Sequence, residues 1–151
     1  MSKFMFDKAL KEVDALKQNL PKVLANVTQL HFNDSFRQQG WEGQTWATPQ
    51  RKIAGTPEYK YPKFNASRRQ SRAILVQSGA LRRSVATSLK ECTFELIRFV
   101  VPEVYAAVHN EGLAMKNGVN QHKRTFMADS QTLRNLQMKK INEAFEKIFQ
   151  I

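Results

Sequence analysis

The sequence predicts an α+β fold, and three of its features carry that prediction. Apolar residues recur at helical spacing near the N-terminus, β-branched and aromatic residues gather in a central stretch, and helical spacing returns at the C-terminal end. The expected arrangement is an N-terminal helical region, a small antiparallel sheet and a C-terminal helix. A length of 151 residues favours a single domain over 1–151.

Phe6, Leu10, Val13, Leu16, Leu20, Val23, Val27 and Leu30 follow at steps of three or four, which places them on one side of a helix. Pro21 lacks an amide donor and its ring crowds the preceding turn, so the region is expected as two helices or as one helix kinked at Pro21. Asp34, Arg37, Gln38 and Gln39 form a polar last turn, and Gly40 suits the left-handed position after it. Residues 41–72 then show neither helical nor alternating periodicity and hold Pro49, Pro57 and Pro62. They read as a long basic loop or arm within the domain, either functional or ordered by a partner.

From Ala73 the pattern shortens. Ala80 to Arg83 is expected as a helical turn, Ser84 to Leu89 as a strand, Lys90 to Thr93 as a hairpin turn and Phe94 to Val101 as the strongest strand, closed by Pro102. Both faces of that strand are apolar, which predicts cover from the helices on one side and a partner subunit on the other. Residues 103–112 fit a short helix or a strand, and Leu113 to Lys123 a second loop. Asp129 or Ser130 can cap a last helix whose apolar residues Met138, Ile141, Phe145 and Ile148 are again helically spaced.

Charge narrows the function. Lysine and arginine outnumber aspartate and glutamate 24 to 13, a formal net charge of +11, which favours polyanions or acidic protein surfaces as partners. Seven of the basic residues, Arg51, Lys52, Lys60, Lys63, Arg68, Arg69 and Arg72, lie within 22 positions that hold one acid, Glu58. These cations can neutralise phosphates, Tyr59, Tyr61 and Phe64 can stack on bases, and the arginines can fork onto phosphate or carboxylate. An acidic protein partner, a nucleic acid and plain solvated charge all remain open for this segment.

No apolar run approaches the roughly 20 residues that cross a bilayer, and the opening residues lack the apolar stretch of a secretory signal. Neither membrane insertion nor export is expected. The single cysteine, Cys92, expected in the hairpin turn, cannot form an internal disulfide, which suits a reducing compartment. There is no glycine-rich phosphate loop, nucleophile elbow or paired-histidine zinc helix. His109 beside Glu111 lacks the second positioned group that acid–base catalysis needs, and His31, His109, His122 and Cys92 share no metal-ligand spacing. No catalytic residue, cofactor, metal or small-molecule substrate is therefore expected, and the chain is not expected to be an enzyme. Trp41 and Trp46, flanking Glu42 to Thr45, are expected as anchors that a glycine turn brings together.

Several short segments, taken in order, resemble the phage virion morphogenesis (tail completion) proteins typified by the Mu-like phages. Phe36-Arg37-Gln38-Gln39-Gly40 ends the helical region, and Gly43 and Trp46 match the family's Asp-Gly-x-x-Trp. Ile74-Leu75-Val76-Gln77-Ser78-Gly79-Ala80-Leu81-Arg82-Arg83-Ser84 is similar to Ile-Leu-x-x-Thr-Gly-x-Leu-x-x-Ser. Tyr105-Ala106-Ala107-Val108-His109-Asn110-Glu111-Gly112 is similar to Tyr-Ala-x-Ile-His-Gln-x-Gly, and Arg124-Thr125-Phe126-Met127 to Arg-Pro-Phe-Leu. Glu42, Asn110 and Thr125 depart from the pattern, the last removing a proline from the loop before the final helix.

The resemblance implies a structural phage or prophage protein that acts in tail completion and head–tail joining. It further implies tail or neck proteins as partners, a homo-oligomer, as a ring when assembled, and location in the host cytoplasm during assembly and then in the virion tail or neck. Gly43, Trp46, Gly79, Leu81, Tyr105, Ala106, His109, Gly112, Arg124 and Phe126 would shape the fold around the assembly surface. A basic nucleic-acid-binding module is the alternative, and incidental DNA contact is compatible with either.

Overall fold

The end of the first helix shows how local chemistry sets the architecture. In the structure, a computed structural model that describes residues 3–61, 70–114 and 122–149, helix α1 spans Lys3–Gln38. Gln39, not Gly40, takes the left-handed conformation that follows it, at φ 54°. Its side chain compensates for the backbone cost: Nε2 donates to the Phe36 carbonyl at 2.5 Å, and Oε1 accepts the Ile74 amide. Gly40 is required for another reason, because a Cβ there would lie 2.4 Å from the Gln44 carbonyl oxygen.

That close approach belongs to a hairpin. Strands β1 (Gly40–Trp41) and β2 (Gln44–Thr45) pair antiparallel, Gly40 with Thr45 and Trp41 with Gln44. Glu42 and Gly43 turn between them with φ of 50° and 77°, the doubly positive geometry of a two-residue hairpin loop. A 3-10 turn (Gln50–Lys52) and helix α2 (Pro57–Lys60) follow, the latter capped by Thr56, whose hydroxyl accepts the Tyr59 amide. The described part of 41–72 thus carries short regular elements where a loop without structure was expected.

Helix α3 (Ala80–Ala86) contains the helical turn expected at Ala80 to Arg83 and extends through Ser84 to Ala86, the first half of the segment expected as a strand. The hairpin comes later, with β3 (Leu89–Cys92) pairing antiparallel with β4 (Ile97–Phe99) through a register shift between Leu89 and Glu91. Thr93 moves the turn to Thr93–Leu96: its amide donates to the Leu96 carbonyl at 2.9 Å and its hydroxyl accepts the Leu96 amide at 3.0 Å. Cys92 accordingly ends a strand and is half-buried, not in the turn. Leu89, Ile97 and Phe99 are half-buried while Phe94, Leu96 and Val100 are exposed.

Residues 103–112 resolve as helix α4 (Val104–Glu111), which starts after Pro102 and ends at Gly112 in the left-handed conformation, φ 73°. Helix α5 (Gln131–Phe149) is capped by Ser130, whose hydroxyl accepts the Leu133 amide at 3.1 Å. Asp129 pairs instead with Arg134, its Oδ1 accepting from Nε at 3.0 Å.

Among the described residues, five α-helices and two two-stranded antiparallel sheets make the fold α+β. The chain forms two compact units: Met1–His31 with Ser88–Val100 and Asp129–Ile151, and Phe32–Thr87 with Val101–Ala128. In the first, α1 runs unbroken through Pro21, and α5 packs antiparallel against it. Gln137 Nε2 donates to Thr28 Oγ1 at 2.9 Å, and Ser130 Oγ lies 3.3 Å from His31 Nε2. Leu20, Ala25 and Leu133 are buried there, whereas Phe6, Leu10, Val23, Leu30, Met138 and Phe145 are exposed. In the second unit the core gathers Phe32, Phe36, Trp46, Ile74, Leu81, Val85, Ala106 and Phe126.

Candidate functional site

The second unit is assembled around the ring of Phe36. Trp46 meets it edge-on, with centroids 5.6 Å apart and planes at 82°, and Phe126 lies 5.4 Å away on a 43° tilt. Trp41 contacts Phe32, one helical turn earlier, at 6.2 Å. The two tryptophans therefore fasten the first hairpin to successive turns of α1. Trp46 also donates through Nε1 to the Thr125 carbonyl at 2.9 Å, so the hairpin and the segment before α5 are joined by a bond as well as by packing.

Asn110 completes the junction. Its Oδ1 accepts the amides of Phe126 and Met127 at 2.9 and 3.0 Å, and its Nδ2 donates to the Met127 carbonyl at 2.9 Å. One residue earlier, the His109 carbonyl accepts the Arg124 amide at 2.7 Å. Arg124 is thereby held in the interior, 5% exposed, where Nε and Nη2 both donate to the Ala47 carbonyl at 3.3 and 3.1 Å. It makes no ion pair among the described residues.

A cleft of about 910 Å3 opens beside this junction. Its charged and polar lining comes from Arg51, Glu58, Ser78, His109, His122 and Arg124, with Leu75, Leu81 and Tyr105 among its apolar and aromatic walls. Leu75 adopts φ 59°, a left-handed conformation that costs a non-glycine residue on the order of 1–3 kcal/mol and is concentrated at functional sites. Tyr105 and His109 stand one turn apart on α4, rings 6.2 Å apart at 75°. His109 Nδ1 is buried without a hydrogen-bond partner among the described residues. Burial, reinforced by the Arg124 charge, lowers the His109 pKa, so the ring is neutral at pH 7. Burial and then the nearby Arg51 charge lower that of Arg124, whose guanidinium nevertheless stays charged.

Comparison with protein-family models, with curated proteins and with solved structures finds no match to this chain. Its site is accordingly read from its own geometry.

The residues singled out by charge divide. Arg51 and Lys52 are half-buried in the 3-10 turn, with Arg51 in the cleft wall. Lys60 is exposed at the end of α2, and Arg72 is exposed and donates to the Gln77 carbonyl. Lys63, Arg68 and Arg69 lie outside the described residues. Of the motif residues, Gly79, Leu81, Tyr105, His109 and Arg124 line the cleft, while Trp46, Ala106 and Phe126 are buried in the same unit. Gly43 and Gly112 supply positive-φ turns.

Sequence reasoning missed the junction made by Asn110, whose partners lie 16 and 17 positions away and leave no local signal. It also missed the interior placement of Arg124, since a single arginine in a loop gives no sign of burial. Among the described residues, no group of three or more histidine, cysteine, aspartate or glutamate side chains is placed to hold a metal, and no helix is long and apolar enough to cross a membrane.

Proposed function

We propose that this chain is a structural phage or prophage protein acting in virion morphogenesis, in tail completion and head–tail joining. The observation that carries the reading is the convergence, in one unit, of segments that resemble the tail-completion family and lie far apart in sequence. Trp46 bonds the Thr125 carbonyl, Arg124 bonds Ala47 and His109, and Asn110 clasps Phe126 and Met127. The resembling residues thus act on one another through packing and hydrogen bonds, as parts of an assembly scaffold would. The reading assigns the chain no reaction and takes tail or neck proteins, together with further copies of itself, as its partners.

Electron microscopy of lysates from an inducible lysogen lacking this gene, beside a complemented control, tests the proposal. Full heads separated from unjoined or aberrant tails are the expected result. Normal infectious particles would remove the morphogenetic role, and the basic 41–72 segment would then be tested as a nucleic-acid-binding surface.

A further inference from the structure

Arg124 poses a chemical problem that the rest of the fold leaves unsolved. A guanidinium carries five N–H donors, and here two of its nitrogens share one acceptor, the Ala47 carbonyl. A neutral carbonyl offsets only part of the cost of bringing a cation out of water, and no carboxylate pairs with Arg124 among the described residues. Yet this side chain lines an open cleft of about 910 Å3, at the upper end of the size range of ligand sites, with Arg51 in the same wall.

We infer that the cleft bounded by Arg51, Tyr105, His109 and Arg124 is a binding site for a carboxylate presented by an acidic peptide segment. A carboxylate inserted from the cleft would accept a forked pair of hydrogen bonds from the remaining donors of Arg124, the arrangement to which guanidinium geometry is matched. Only an inserted group can do so. A duplex phosphate backbone rides on exposed cations, whereas Arg124 is 5% exposed and is reached by a side chain or chain end entering the cleft. The apolar wall of Leu75, Leu81 and Tyr105 suits a peptide more than a bare ion. Glu58, also in the lining, disfavours a second negative charge on its side and so orients the segment. The inference stands on the cleft itself and would survive failure of the morphogenetic reading.

The test is NMR titration of 15N-labelled protein, following the Arg124 Nε–Hε resonance. Its probes are a short oligoglutamate, the matching oligoglutamine, succinate, inorganic phosphate and a short DNA duplex. Oligoglutamate is expected to shift that resonance saturably, and oligoglutamine to leave it in place. Arg51→Gln, checked for an unchanged thermal midpoint, is expected to weaken oligoglutamate binding by about tenfold or more, the loss of one charge-assisted contact. Arg124→Lys keeps the charge but loses the fork, and is expected to weaken binding at least as much. Should it fail to fold, Arg51→Gln and the wild-type resonance still decide. Three results would overturn the inference: an Arg124 resonance unmoved by oligoglutamate, succinate binding as tightly as the peptide, or phosphate or duplex DNA occupying Arg124 in preference to it.

Discussion

Trp46 illustrates how much of the second unit depends on single side chains. It is buried against Phe36 and bonded to the Thr125 carbonyl, so Trp46→Phe keeps most of the packing but removes the donor and leaves a carbonyl unsatisfied. A loss of about 1–3 kcal/mol is expected, read by urea unfolding. His109 gives a pH signature. Its pKa is lowered from 6.5 by burial and by the Arg124 charge, so in acid the folded state binds fewer protons than the unfolded chain. Its contribution is therefore constant above about pH 6.5, is lost as the pH falls through that value, and levels off below the lower folded pKa. Unfolding curves measured from about pH 7.5 to pH 5 should show this acid limb, and His109→Gln should flatten it. The sequence placed His109 in a motif, but the lowered pKa comes from burial and then from the nearby Arg124 charge, both of which only folding supplies.

Secondary-structure elements were legible where local chemistry decided them. The Ser130 cap and the Glu42-Gly43 turn both act through residues within a few positions of one another. The second hairpin was expected and exists, but its turn lies at Thr93–Leu96 instead of Lys90 to Thr93, because a threonine hydroxyl outweighed apolar alternation in setting the register. In α1 the expected apolar stripe is split: Leu20 is buried and Val13, Leu16 and Val27 are half-buried, while Phe6, Leu10, Val23 and Leu30 are exposed. The buried residues from Ala25 onward are Ala25, Thr28, Phe32, Ser35 and Phe36. Small and hydroxyl residues escape a search for large apolar ones, and here Thr28 and Ser35 satisfy their hydroxyls on the Leu24 and Phe32 carbonyls at 2.8 and 2.7 Å. The first hairpin offers a test at this scale. Gly40→Ala drives a Cβ into the Gln44 backbone and is expected to cost about 1–3 kcal/mol by overpacking, measured as a lowered unfolding midpoint. Gly43→Ala meets open space and should cost about 1–2 kcal/mol through its positive φ alone.

For the whole molecule, the net charge of +11 sets which surfaces it can approach, and its distribution sets where. If the basic 41–72 segment engages an assembly partner, replacing Arg68, Arg69 and Arg72 together by glutamine should leave the fold intact, read as an unchanged unfolding midpoint. Head–tail joining in the complementation assay should nevertheless fall. Retained joining would remove that segment from the interface and leave the cleft as the remaining candidate.

The α+β class, the two terminal helices, the cap before the last helix and the concentration of charge were all present in the linear order of residues, since periodicity, propensity and formal charge act over a few positions. Tertiary structure alone decided that Arg124 is buried without a carboxylate partner among the described residues, that Asn110 joins segments 16 and 17 positions apart, and that Arg51 and His109 face one cleft. Burial and desolvation belong to the surroundings of a side chain, and those surroundings come from residues far away along the chain, so no local pattern encodes them.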